Sequence, residues 1–388
     1  MRQWSALSTV GIALLVSGCS SSADSQESGA PAGRPVAAAH DDGSTGAAPP
    51  SDPSAESDAP GKSSDSDSSD FISASSPASP SAGTGVVGQQ AAAGALTAGA
   101  WDDNRNFSRF LGYRSGLAAL GLPGLLAIEE DELNAAHQLW LTVPTAKQAL
   151  DISLIIDTTG SMGDEIAYLQ AEFLTLSKAI AVSHPDAQQR WSLVLYKDLA
   201  DEYITEQFDF SSNTQDFVEH LAAASAGGGG DTPESPDRGL AVAQQLAWSS
   251  QSSAAKLAFW VADAPHHEDK AEAMANAIRG MRQLGVHIYP IASSGVDELT
   301  EVTMRTAAAL TGGRYLFLTN DSGIGNDHKE PTIPCYFVTK LDVAIERMVD
   351  IELSGVYREP DASQVVRTGG DPKDGACQLD SGESVLVF

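Results

Sequence analysis

Three short stretches carry oxygen-bearing side chains at spacings that could hold a cation. In the first, the apolar run 154–156 stops at Asp157, and Asp157, Thr159 and Ser161 then alternate. In a loop leaving the carboxyl end of a buried strand, alternate oxygens can converge on one point, where open α/β sheets place their ligands. In the second, Gly227, Gly228, Gly229 and Gly230 run into Asp231 and Thr232; in the third, Asp263 closes the apolar run 257–262. Hard oxygens suit a hard cation. Two hydroxyls with few carboxylates favour Mg2+ or Mn2+, which keep several waters and need no all-protein cage. Because the hydroxyls are neutral, such an ion stays electrophilic and can take a carboxylate from a partner in an open position.

The elements that must position these loops alternate. Strands are expected over 152–157, 191–196, 257–262, 286–292 and 314–318, with helices over 165–181, 217–224, 238–248, 268–284 and 302–310. The segment 203–210 alternates Tyr203, Ile204, Phe208 and Phe210 and reads as an antiparallel edge strand. Strands alternating with helices predict an α/β, Rossmann-like fold: a mainly parallel central sheet, one antiparallel edge strand, and helices on both faces. A further helical pattern runs over 337–353, and 385–388 reads as an edge strand.

Taken singly, each motif has a plain structural reading. Asp157 could cap a helix, the glycines could be a flexible turn and Asp263 a turn former. Together, and in order on alternating elements, they resemble the metal-ion-dependent adhesion site of von Willebrand factor type A domains over about 150–318. Asp-Thr-Thr-Gly-Ser-Met-Gly-Asp-Glu-Ile, Gly-Gly-Asp-Thr-Pro-Glu and Ala-Asp-Ala-Pro resemble the bacterial branch of that family, including versions attached to atypical kinases. The resemblance implies that Thr159, Ser161 and Thr232 touch the ion, with Asp157 and Asp263 acting largely through water. Thr159 replaces the commoner serine and keeps its hydroxyl; Ala264 stands where many members have glycine.

Enzyme readings fit less well. A haloacid-dehalogenase-type phosphatase would place a second aspartate where Thr159 stands, and a P-loop would continue its glycines into Gly-Lys-Ser/Thr. His266 and His267 lack the His-Glu-x-x-His spacing of a zinc site and read, with Asp231, as a solvent-facing rim available to a partner.

Outside these loops the chain changes character. Residues 1–19 carry one cation (Arg2), a short apolar segment and Val-Ser-Gly-Cys. That segment is too short to span a bilayer comfortably and reads as a cleaved leader. Its end resembles the lipobox of bacterial lipoproteins, which implies lipid on Cys19; an ordinary secretory signal with an incidental cysteine is the alternative. Ser20 resembles outer-membrane rather than inner-membrane lipoproteins. Residues 20–94, rich in Ser, Ala, Pro, Gly and Asp, have too little apolar surface to offset ordering entropy and read as a tether.

Residues 95–148, with Trp101, Phe107, Phe110 and Trp140, read as an extension covering one edge of a main domain at 149–353, and 354–388 as a tail. Of three cysteines, Cys335 and Cys377 remain once Cys19 is lipidated, and pairing is the default in an exported protein. A net charge of -29 with no basic face argues against nucleic acid.

The expectation is therefore a non-enzymatic, lipid-anchored protein of a bacterial cell envelope. It binds a protein or surface ligand through a divalent cation. A metal-dependent phosphatase, or a scaffold whose metal only stiffens loops, are the alternatives.

Overall fold

A computed structural model describes residues 91–122, 126–142, 146–230 and 232–388. The leader with Cys19, almost all of the expected tether, and Asp231 lie outside those residues.

The chain enters through β1 (Thr97–Trp101) and two helices, α1 (Phe107–Ala119) and α2 (Glu130–Trp140). The central strand β2 (Ala149–Asp157) follows, and Leu150, Ile152, Leu154, Ile155 and Ile156 are fully buried. Burial of successive residues, not alternate ones, means that both faces are covered. Next come α3 (Ile166–Ser183), β3 (Gln188–Tyr196), β4 (Thr205–Ser211), α4 (Thr214–Ala223) and α5 (Pro236–Ala243). Then follow β5 (Ala254–Ala262), α6 (Ala271–Gln283), β6 (His287–Ala292), α7 (Glu298–Thr311) and β7 (Tyr315–Leu318). The chain closes with β8 (Tyr336–Lys340), α8 (Leu341–Ser354), β9 (Arg367–Gly369), β10 (Ala376–Gln378) and β11 (Ser384–Leu386).

Nine strands form one sheet in the order β4-β3-β2-β5-β6-β7-β1-β8-β9. β3, β2, β5, β6 and β7 are parallel, and β4 lies antiparallel at one edge, as the alternation of 203–210 predicts. β1 and β9 also run against the parallel set. Ile155, Val194, Trp260 and Phe317 face one apolar layer with residues of α5, α6 and α7; Leu154, Leu195 and Phe259 face the other with Phe173 and Ile345. The result is the mixed α/β fold with helices on both faces that the alternation predicts.

Three segments depart from expectation. Residues 95–148 were expected to cover an edge, yet β1 sits inside the sheet, antiparallel to β7 and β8, pairing Ala98 with Leu318 and with Thr339. Its Thr-Ala-Gly-Ala-Trp sequence is poor in β-branched residues, and small residues are what the site demands: a Cβ on Gly99 would lie 2.2 Å from Phe317 Cζ. The helical pattern over 337–353 is also too long, because 336–340 are extended and pair with β1 and β9; the helix begins at Leu341. At the end of the chain, β11 pairs with β10 in a separate two-stranded sheet, not with the main sheet's edge. A Cys335–Cys377 disulfide fastens this tail before β8, with a Cα–Cα separation of 6.2 Å.

Candidate metal centre at the carboxyl end of the sheet

From β2 the chain passes to β3 on one side and later returns as β5 on the other, so a crevice opens where the order reverses. Asp157 ends β2 and Asp263 follows β5, one on each side of that crevice. Asp157 Oδ1 accepts hydrogen bonds from Thr159 N at 2.9 Å and from Thr159 Oγ1 at 2.7 Å. Thr159 Oγ1 lies 3.2 Å from Ser161 Oγ, and Ser161 is near enough to Asp263 to lower the pKa of its carboxyl. Three of the predicted residues, Asp157, Thr159 and Ser161, therefore form one continuous chain of oxygens, with Asp263 beside it. Asp157 and Thr159 are wholly buried beneath an exposed Ser161.

The glycine loop packs directly on this turn. Gly160 N donates to Gly228 O at 2.9 Å and Gly227 N to Thr158 O at 3.0 Å. Gly229 adopts φ +59°, and a Cβ there would come within 3.0 Å of Thr159 Cβ, so only glycine lets the two backbones meet without strain. Asp201 holds the loop by accepting from Gly229 N at 2.8 Å, and Lys197 Nζ donates to Gly227 O. Thr232 is exposed at the end of this loop. Two residues on, Glu234 N donates to Pro265 O at 2.9 Å and Glu234 bridges His266, which ties the Thr232 segment to the Asp263 loop. Asp231 lies outside the described residues.

The carboxylates of Asp157, Asp263 and Glu234 lie among other acids. Burial, then the nearby Asp263, pushes Asp157 up to about 7. Burial and the neighbouring Glu165 push Asp263 up to about 6, although Ser161 pulls it down. Glu234 rises to about 8 through burial and repulsion from Asp157, Asp198, Asp201 and Asp263. Among the described residues, Asp157 Oδ2, Asp263 Oδ1 and Glu234 Oε2 are each buried without a hydrogen-bond partner. Orphaned carboxylate oxygens are costly in a folded interior unless a proton or a cation satisfies them. Among the described residues no three His, Cys, Asp or Glu side chains converge as a ligand cluster. A hydroxyl-rich donor set of Thr159 and Ser161, with Asp157 and Asp263 behind it and Thr232 on the adjoining loop, would suit Mg2+ or Mn2+ were an ion held here.

Part of this site lies outside the three motifs. Glu234 is only 2% exposed, and its signal was its place in Asp-Thr-Pro-Glu, directly after the glycine loop. Asp198 and Asp201 leave the carboxyl end of β3 just as Asp157 leaves β2, a placement that would have flagged them. The expected solvent-facing histidine rim needs correction: His266 is 1% exposed, because its backbone pairs with Glu234 and carries the ring inward. His267 is half-buried, with Nε2 2.6 Å from Asp198 Oδ1.

Residues 151–312 match the family model described as von Willebrand factor A domain. The alpha-protein kinase vwkA of Dictyostelium discoideum is 27% identical over 159 residues, which make up 41% of this chain and 25% of that protein. A putative ariadne-like RING finger protein of Acanthamoeba polyphaga mimivirus is 29% identical over 190 residues, 44% of this chain and 18% of that protein. The chain thus spans a quarter or less of the length of these curated relatives. Among solved structures, the conserved hypothetical protein BatB from Bacteroides thetaiotaomicron is similar at TM-score 0.34 and 12% identity, covering 45% of this chain and 92% of BatB. The pilus adhesin SpaC from Lactobacillus rhamnosus GG, in its open conformation, is similar at TM-score 0.34 and 11% identity, covering 48% of this chain and 29% of SpaC. Sheet order, the Asp157–Thr159–Ser161 turn and the family match converge on one assignment: this chain carries a von Willebrand factor A domain over residues 151–312.

Proposed function

We propose that this chain is a binding protein that recognises a carboxylate on a protein or surface ligand through Mg2+ or Mn2+ held at the carboxyl end of the sheet. The observation that carries the reading is the stack of orphaned carboxylate oxygens on Asp157, Asp263 and Glu234 beneath the exposed hydroxyl of Ser161. A bound cation supplies an electrophilic point with an open position for the partner's carboxylate. Asp157 orients Thr159 through two hydrogen bonds, and the Gly227–Gly230 loop fixes the turn from behind. Ser161 and Thr232 lie where a partner can approach.

Binding rather than catalysis is the reading because Asp157, the one aspartate placed like a phosphoryl-transfer nucleophile, is fully buried with one oxygen engaged twice. An exported, lipid-anchored location in a bacterial envelope, with lipid on Cys19 and the acidic stretch 20–94 as tether, belongs to the same proposal. Its support is the leader-like sequence ending in Val-Ser-Gly-Cys.

The test is a pull-down from envelope extract with the full chain, with and without EDTA. A partner retained with Mg2+, released by EDTA and missed by Asp157→Ala is the expected result. Partner retention unaffected by EDTA would sink the cation-bridged reading, and fatty-acid labelling that persists in Cys19→Ser would sink the anchor.

A further inference from the structure

At the amino ends of the same parallel strands lies a second concavity, of about 670 Å³. That volume falls within the usual range for small-molecule sites. Its floor is made by the starts of β5 and β6, and one wall by the end of α2, where Leu139, Trp140 and Leu141 line it. Leu139 and Leu141 are 65% and 55% exposed, an unusual outlay of leucine surface at the mouth of a pocket. β2 is nine residues long, so this pocket sits roughly 30 Å from the candidate metal centre at the usual rise per residue.

Its charge is opposite to that of the chain. In a protein of net charge -29, the lining includes Lys147, Lys256 and Arg282. Lys147 Nζ donates to Ser252 O and Lys256 Nζ to Leu284 O, each at 2.7 Å, so both ammoniums are held by neutral carbonyls. Burial lowers the Lys256 pKa, and the neighbouring Lys147 ammonium lowers it further against Asp151. Asp151 is already committed to Arg190, at 2.6 Å. Glu352, the carboxylate in the wall, is equally committed: one oxygen takes His287 Nδ1 at 2.9 Å and Arg314 at 3.4 Å and accepts from the Tyr289 hydroxyl. Arg282 faces the pocket with no ion pair among the described residues; nearby Glu132 is bound by Arg279 at 2.7 Å. The surplus is therefore local and positive. At physiological salt the acidity elsewhere is screened over about 8 Å, so these cations set the potential an entering ligand feels.

We infer that this pocket binds a small amphipathic anion, its carboxylate between Lys147, Lys256 and Arg282 and its apolar body against Leu139, Trp140 and Leu141. A head-only anion would forgo the leucine and tryptophan wall, and a neutral apolar molecule would leave the cations unpaired. The occupant must therefore carry both features. This site is separate from the metal centre, and EDTA should leave it untouched.

Calorimetry on the full chain with decanoate, decanol and acetate tests the inference. Decanoate should bind at least about tenfold more tightly than either of the others, in EDTA as in Mg2+. Added salt should weaken decanoate and leave decanol unchanged. Lys147→Gln/Lys256→Gln should cost decanoate about tenfold or more, and Trp140→Ala should weaken it without changing its salt response. Should the double variant fail to fold by circular dichroism, Arg282→Gln, on the α6 end, and the salt series on the unmodified chain carry the same decision. Equal binding of decanoate and decanol, decanoate binding indifferent to salt and to these cations, or no decanoate binding at low-millimolar concentration would each overturn it.

Discussion

The two ends of the parallel sheet solve the same electrostatic problem in opposite ways. At the carboxyl end, Asp157, Asp263 and Glu234 are buried together, repel one another and are pushed towards the neutral form. At the amino end, acids are buried with arginines. There Arg314 joins Asp102 at 3.0 Å, and midway along α7 Arg305, 2% exposed, joins Asp103 at 2.7 Å and Glu301 at 3.0 Å. Burial pushes Glu352 up, but His287 and Arg314 outweigh it and hold its carboxyl at about 2. A buried charge that is matched within the chain serves the fold; on the proposed function, one left unmatched is held for a ligand. The difference predicts contrasting responses to substitution.

The largest effect is expected where buried acids are matched by an arginine. Arg305→Leu strands two buried carboxylates, Asp103 and Glu301, and should lower unfolding free energy by about 3–5 kcal/mol in urea denaturation. Loss of less than about 1 kcal/mol would mean that this network is not what holds β1 and α7 together.

Asp157→Ala sets the opposite expectation. It removes a buried carboxylate that has no counter-charge, so the metal-free protein should keep its stability or gain some. What it should lose is the response to Mg2+ or Mn2+, worth about 2.7 kcal/mol at a hundredfold excess over Kd in the unmodified chain. Thermal melts with and without the cation measure both at once. Equal Mg2+ affinity in Asp157→Ala and wild type would remove these loops from the site.

Backbone fit comes next. Gly229→Ala places a Cβ 3.0 Å from Thr159 Cβ at a positive φ, and should cost roughly 1–3 kcal/mol. Its metal response should weaken with it, because the loop can no longer close on Thr159. A variant that binds Mg2+ as tightly as wild type would show that the loop's approach is not needed.

The smallest and most diagnostic effect is in pH. Asp157, Asp263 and Glu234 have folded pKa values above their unfolded ones, so between roughly pH 4 and 8 the folded state binds more protons and metal-free stability falls as pH rises. Glu352 has a depressed value; its contribution is present above its unfolded pKa and is lost only as pH falls towards 2. Denaturation from pH 5 to 8 should therefore show declining stability in EDTA, and a slope reduced or reversed in saturating Mg2+, since binding drives the protons off. Stability that rises with pH in EDTA would contradict the grouping of these three acids.

The sequence by itself determined the alternation of elements and the oxygen-bearing turns. Buried parallel strands announce themselves as apolar runs, and Asp157, Thr159, Ser161 and Asp263 follow them at short range. The Cys335–Cys377 pair was also legible, from the cysteine count and an expected export. Only the tertiary structure decided where β1 goes, because Thr-Ala-Gly-Ala-Trp earns its place by clearing the Phe317 ring, not by propensity. It also decided the boundary at Leu341, the inward turn of His266 and the burial of Glu234, each of which depends on a partner strand or loop far along the chain. The basic pocket was invisible for the same reason: Lys147, Lys256 and Arg282 are scattered in a strongly acidic sequence, and only the shared amino end of the sheet brings them together. Local periodicity is set by what one segment buries; charge is set by what distant segments leave unpaired.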